Sequence, residues 1–391
     1  MLTQWHHSTS LWLIVNTILL GLISSFILEF TPVGFDIKEQ SDRIDVIDKL
    51  TEFSNAAKNA DKKTDQKSED IILLLGSSLS MYASSITDAK IFGEPKMGSE
   101  AFSRYASFRY LDKKLNDVSG GNYHTLNLSH PGCMTSENLL LLELALKAGI
   151  KPKMVFLWTA PRDYIDHLTN KYEQSKLART IIDKLSGTFW NFNRSGTDNL
   201  ESLTRTNLPL FAERDAVVKY CSTATMKKLA EILHRPPYKE KSATIGGSFE
   251  FVKDAPGSPE MMAYCDANYK LRYLPLNEER WQLESKALEK IVALCRSNDI
   301  PLLIVAMPVS EGNRAILPHS FIEKHLAMLA QTAAATQTND KKTVILLNLF
   351  EDPDFKADDY VDTVHLRSSG GLKLVDKLTD TIRSRGWLQS K

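Results

Sequence analysis

The chain has 391 residues, 43% of them hydrophobic and 25% charged, with 48 Lys and Arg against 48 Asp and Glu and a formal net charge of zero. That balance excludes the basic excess of a nucleic-acid-binding domain, and the hydrophobic share excludes wholesale disorder. The four cysteines (Cys133, Cys221, Cys265, Cys295) have no CxxC or Cys/His spacing, so neither a zinc site nor a disulfide framework is suggested, and no cofactor is expected.

A mean hydropathy of −0.23 conceals one unusual segment. After a tail of ten residues without Lys or Arg, residues 11–30 (LWLIVNTILLGLISSFILEF) are apolar or small apart from Asn16 and Glu29. At about 1.5 Å per residue a helix of this length spans about 30 Å, a bilayer core. An uncleaved transmembrane anchor is expected. A cleaved signal peptide would need a basic start, a shorter apolar stretch and a small-x-small site, and a buried soluble helix is the remaining alternative. Lys38, Arg43 and Lys49 follow the span, so the positive-inside count puts the large domain in the cytoplasm. Those charges sit among five acidic residues, however, and long domains translocate largely regardless of charge. Residues 31–69 read as a charged stalk. Ile44, Ile47, Leu50 and Phe53 recur every third residue, as in an amphipathic helix, and 58–69 (KNADKKTDQKSE) is a solvated linker.

Residues 70–391 change character. Apolar runs at 71–75, 124–128, 154–159, 301–306 and 343–349 read as strands, and 101–117, 135–148, 278–297, 319–335 and 369–384 as helices. Continuously apolar strands alternating with helices predict a parallel sheet covered on both faces, a three-layer α/β/α sandwich. Residues 165–277 break this rhythm with aromatic clusters (Phe189, Trp190 and Phe192; Tyr264, Tyr269 and Tyr273) and loops at 234–241, 245–249 and 255–259. A cap insertion over the ligand crevice is expected there, with a structural elaboration elsewhere as the alternative.

The first strand ends in Gly76-Ser77-Ser78-Leu79-Ser80, and Asp362-Thr363-Val364-His365 lies between the last strand and the last helix. An Asp and a His three residues apart on a loop can touch, leaving the second imidazole nitrogen to act as base toward a serine. The carboxyl ends of parallel strands share one edge, so the two segments can converge. Asp362 as a helix cap, His365 as a core histidine and Ser77 as the nucleophile are the competing readings.

These segments resemble the SGNH (GDSL) hydrolase superfamily. Gly76-Ser77-Ser78-Leu79 is similar to its Gly-Asp-Ser-Leu block, with Ser77 in place of Asp and Ser78 at the nucleophile position. Asp362-x-x-His365 matches its last block. Ser129-His130-Pro131-Gly132 falls where the family has its oxyanion glycine, and Ala160-Pro161-Arg162-Asp163 where it has Gly-x-Asn-Asp. Arg162 thus replaces an asparagine that normally helps to bind the oxyanion. The resemblance covers about residues 70–163 and 280–385 and implies an SGNH/flavodoxin-like sandwich. It implies a Ser78–His365–Asp362 triad, with the backbone of Ser78 and Gly132 as oxyanion donors. Arg162 stands as a third donor or as a ligand of a substrate carboxylate or phosphate. His130, Tyr164 and His167 are candidate substrate contacts, with a packing role as the equal alternative for Tyr164 and His167.

The anchor, the Gly76-Ser77-Ser78 turn and the insertion resemble membrane-anchored members that assist O-acylation of polysaccharide or teichoic acid more than the secreted esterases. That layout implies an extracytoplasmic domain, an acyl-ester or glycan substrate and a multi-spanning membrane acyltransferase as partner. Hydrolysis, acyl transfer and a catalytically silent scaffold all remain open. An α/β-hydrolase elbow lacks its second glycine and falls after the first strand. A Rossmann site lacks any G-x-G-x-x-G after a strand.

Overall fold

The computed structural model describes residues 49–51, 70–93, 105–166, 175, 177–178, 181, 254–334 and 343–388. The expected anchor at 11–30, nearly all of the stalk, Cys221, His167 and cap residues 182–253 lie outside the described residues. Among the described residues no helix is long and apolar enough to cross a membrane.

Five strands, β1 (Asp70–Leu75), β2 (Tyr123–Asn127), β3 (Met154–Thr159), β4 (Leu302–Ala306) and β5 (Val344–Asn348), form one sheet in the order β2-β1-β3-β4-β5. Every pairing is parallel. Each strand falls where an apolar run predicts it, within a residue or so. Ile72 to Leu75 are fully buried and every residue of β3 is buried, which is why these strands read as unbroken apolar runs. Each buried leucine contributes ~1.5–3 kcal/mol relative to an exposed one.

Between the strands run α1 (Ser78–Phe92), α2 (Arg109–Ser119), α3 (Thr135–Lys147), the single turn α4 (Arg162–Ile165), α5 (Pro259–Tyr273), α6 (Glu278–Ser297), α7 (Glu311–Ile316) and α8 (His319–Ala334). Helix α9 (Ser368–Ser384) follows β5. Helices α1, α2 and α9 pack together, as do α3, α6 and α8. Right-handed crossovers explain this division: the chain steps from β1 to β2 in one direction, then from β3 to β5 in the other, so the helices fall on opposite faces. The expected α/β sandwich with a parallel sheet is therefore present.

Three elements differ from the sequence expectation. Helix α1 replaces what reads as a bare Gly-Ser turn. Ten of its fifteen residues are buried, among them Ser80, Ser84, Ser85, Thr87 and Asp88, so it shows no polar face from which a period could be read. Helix α2 begins at Arg109 rather than 101, because the Asp88 carboxylate of α1 accepts from the N–H groups of Arg109 (2.7 Å) and Tyr110 (2.8 Å). Helix α5 occupies a stretch read as an aromatic cluster behind a loop. Its start was legible: Ser258 Oγ accepts from Met261 N at 3.2 Å, and Pro259 takes the first helical position.

Lys49–Thr51 are helical, and Lys49 and Leu50 are buried, with Lys49 Nζ donating to Asn127 O at 3.4 Å. This part of the expected stalk therefore rests on the α/β domain beside the carboxyl end of β2. The Gly370-Gly371 pair admits close approach of α9 to α1: a Cβ on Gly371 would lie 1.9 Å from Thr87 Oγ1.

Candidate active site

The strand order reverses between β1 and β3, and in such sheets the crevice outside the carboxyl ends at this point is the usual ligand site. Register keeps those ends level, with Leu75 opposite Leu157 and Thr159 opposite Ala306. Ser78 opens α1 three residues beyond β1, and Arg162 opens α4 three residues beyond β3.

The Asp362 loop is locally determined. Tyr360 and Leu366 form an antiparallel bridge, and Val361 N donates to His365 O at 2.8 Å. Inside this loop Asp362 Oδ1 accepts from the N–H groups of Val364 (2.9 Å) and His365 (2.8 Å), while Oδ2 lies 2.7 Å from His365 Nδ1. One carboxylate thus holds both the backbone and the ring of the histidine, a short-range Asx geometry. From outside, Ser310 N donates to Thr363 O at 3.0 Å and Gly257 N to Tyr360 O at 3.2 Å. The N-terminus of α9 is capped by Asp254, which accepts from Ser368 N (3.0 Å) and Ser368 Oγ (2.6 Å). Asp362 is therefore free of the capping role.

His365 Nε2 lies 2.8 Å from Ser78 Oγ. A carboxylate only accepts, so Nδ1 carries the proton and Nε2 accepts from the serine hydroxyl. The Tyr82 ring, one turn beyond Ser78 on α1, lies 4.2 Å from the imidazole, centroid to centroid. Burial opposes the charge of Asp362, but His365 and the two backbone N–H donors hold its carboxyl below the usual carboxylate range. Of the two serines, Ser78 is half-exposed and bonded to His365, whereas Ser77 is fully buried.

The loop after β2 lies beside the Ser78 turn: His130 N donates to Gly76 O at 3.3 Å and Ser80 Oγ to Ser129 Oγ at 2.6 Å. Gly132 has φ +77°, a left-handed conformation that calls for glycine here. His130 is half-buried at this edge, its Nδ1 2.9 Å from Pro131 O. Cys133 is buried, and burial pushes its thiol well above the usual value, so nothing activates it.

Two expected site residues are placed differently. Arg162 is buried, and each of its three guanidinium nitrogens donates to a protein acceptor: Nη2 to Gly132 O at 2.9 Å, Nη1 to Asp163 Oδ1 at 3.2 Å and Nε to Asp166 Oδ2 at 3.2 Å. It grips the backbone of the expected oxyanion loop instead of standing as a loose cation. Tyr164 is fully buried and packs against Trp281 (5.5 Å) and His325 (5.0 Å). Two residues beyond Arg162 on one helical turn, its ring packs in the core under α6 and α8.

The sequence reading missed Tyr82 and Asp166. The spacing of four between Ser78 and Tyr82 on one helix was the available signal for the first. Asp166 offered only its spacing of four from Arg162, because its other partner, Arg272, lies 106 residues farther along the chain. Cys265 and Asp266 of α5 border the acid loop: burial pushes both groups up, and the nearby charge of Asp362 adds to the shift. This described part of the expected cap therefore adjoins the triad. Among the described residues no group of three or more His, Cys, Asp or Glu is placed to hold a metal ion.

No family model matches the chain, and no curated protein matches it. Among solved structures, one described as "Crystal Structure of TesA" is similar at 13% identity, covering 80% of this chain and 98% of that one with a TM-score of 0.33. A likeness that distant carries no functional inference.

Proposed function

We propose that the chain is a serine esterase or O-acyltransferase of SGNH type. The observation that carries this reading is the unbroken hydrogen-bonded series Ser78–His365–Asp362, at 2.8 and 2.7 Å, at the switch point of the parallel sheet. Ser78 Oγ attacks the carbonyl carbon of an acyl ester while its proton passes to His365 Nε2. The carbonyl π pair becomes an oxyanion facing the N–H groups of Ser78 and Gly132. Collapse expels the alcohol, which takes the proton from His365, and leaves an acyl-Ser78. Water then regenerates the enzyme as an esterase, or an acceptor hydroxyl does so as an acyltransferase. Asp362 orients the ring and stabilises the imidazolium.

The apolar stretch at 11–30 supports anchoring in a membrane, and the motif resemblance supports an extracytoplasmic domain. On the same resemblance the substrate class is acyl esters of envelope or secreted glycans, with a multi-spanning acyltransferase as partner. A fluorophosphonate probe tests the core of the proposal. It is expected to label the full-length protein and to fail with Ser78→Ala, which also loses turnover of a small aryl acetate. Equal labelling of both proteins would remove the nucleophile assignment. Absence of labelling and turnover in the wild type would favour a silent scaffold.

A further inference from the structure

We propose that Arg162 is a positioning residue that aims the oxyanion N–H of Gly132, and that α5 holds it in place through Arg272 and Asp166. The inference rests on the functional reading above and adds a residue relay to it.

The geometry is specific. Gly132 O belongs to the peptide joining Gly132 and Cys133. Arg162 Nη2 donates to that oxygen at 2.9 Å, and the N–H of the same peptide donates to His130 O at 3.1 Å. Both ends of this peptide plane are therefore fixed. With the plane fixed, the direction of the preceding Gly132 N–H depends only on the two rotations of Gly132 itself, ψ and φ, the latter at +77°. A side chain is not what the site excludes by volume, because a Cβ on Gly132 would lie 3.7 Å from Arg162 Nη2, an ordinary contact. The backbone angle is the constraint.

The guanidinium is itself held in one plane. Nη1 and Nε donate to Asp163 and Asp166, two carboxylates from the same turn of chain. Asp163 Oδ2 also accepts from Ala160 N at 3.0 Å, which ties it to the end of β3. Asp166 Oδ2 accepts a second donor, Arg272 Nη1 of α5, at 2.7 Å, and Asp166 O accepts from Arg280 of α6. Asp166 is fully buried and Arg162 nearly so. A planar fork satisfied on three sides inside the protein has little freedom to swing toward a ligand. Its fixed position suits it to hold the loop, and α5 is the outer member of the series. The same helix borders Thr363 of the acid loop, so its seating touches both halves of the site.

The test uses the full-length protein with an aryl acetate as substrate and an aryl trifluoromethyl ketone as probe. Ser78 Oγ adds to the ketone carbon, its proton goes to His365, and the carbonyl oxygen becomes an anion in the hole. Arg162→Gln and Arg162→Lys are expected to lower kcat by roughly 30- to 300-fold, somewhat less than the ~10²- to 10³-fold cost of removing an oxyanion donor outright. KM stays within about threefold, and ketone affinity falls in proportion to kcat. Arg272→Gln, on a partly exposed side chain, is expected to show the same pattern at roughly 3- to 10-fold and keeps the test intact if the Arg162 variants do not fold. A rise in KM with kcat and ketone affinity unchanged would overturn the relay and make Arg162 a substrate ligand. Wild-type behaviour of Arg272→Gln would overturn its outer half. A wild-type protein that forms no Ser78-dependent ketone adduct would overturn the functional reading instead, recognisable because no variant then differs from any other.

Discussion

Two buried histidines in this chain sit in opposite surroundings. His365 lies at the carboxyl edge of the sheet, with Asp362 on one nitrogen and Ser78 on the other. His325 lies in α8 among Tyr164, Trp281 and Phe321, and neither of its nitrogens meets a partner among the described residues. Burial alone pushes His325 down to about 3, so it stays neutral and behaves as an aromatic packing piece. His365 is 6% exposed and His325 0%, so burial does not distinguish them. What makes an imidazole a base is a fixed carboxylate behind it and a hydroxyl in front.

The sharpest way to test that contrast is to remove the hydroxyl or the ring. Ser78→Ala and His365→Asn are each expected to lower ester turnover by ~10⁴-fold or more, measured as kcat on an aryl acetate. A residual rate within tenfold of wild type would break the comparison. Asp362→Asn should cost ~10³- to 10⁴-fold by allowing the wrong tautomer. It also carries a pH signature. The folded-state carboxyl titrates below its unfolded value of about 4, so its stabilisation is present above that value and is lost as pH falls through the lower folded one. The Tm advantage of wild type over Asp362→Asn should therefore shrink as the pH is taken well below 4, and a constant gap would contradict the assignment.

A smaller effect is expected behind the Gly132 loop. Glu284 of α6 accepts from Ser136 N (2.6 Å) and Ser136 Oγ (3.0 Å) at the start of α3. Burial pushes it up to about 7 against these bonds and the charge of Arg280. A folded-state value above the unfolded one means stability that is fully present at low pH and declines as pH rises toward 7. Glu284→Gln should remove this decline, gaining a few °C in Tm over wild type between pH 5 and 8; parallel Tm curves would exclude it. The smallest effect belongs to His325→Leu, which replaces a ring without polar partners by an apolar group of similar size. Activity within about twofold of wild type and an equal or higher Tm are expected. A tenfold activity loss would mean that the aromatic box contributes to the site.

The strands were legible because they read as apolar runs, those of β3 and β4 being buried along their whole length. Asp362 and His365 were legible because their contact is three residues long. Ser78 was legible only as the end of a strand, and its preference over Ser77 needed the motif resemblance until burial and the 2.8 Å contact to His365 separated them. Tyr164 stayed open between substrate contact and packing, because aromatic residues after a strand end point into a crevice or into the core with equal ease in the sequence. Arg162 misled for a related reason: its charge suggested a ligand, but its acceptors come from Asp163, Asp166 and the Gly132 backbone.

By itself the sequence determined the parallel sheet, the local Asp362–His365 pair and the neutral charge balance, since all three depend on composition or on neighbours a few residues apart. Tertiary structure decided which serine faces the imidazole, the start of α2, and the clamp from Arg272 through Arg162 to Gly132. Each of those depends on contacts between residues about 20 to 290 positions apart, and no local period or propensity encodes where such partners meet.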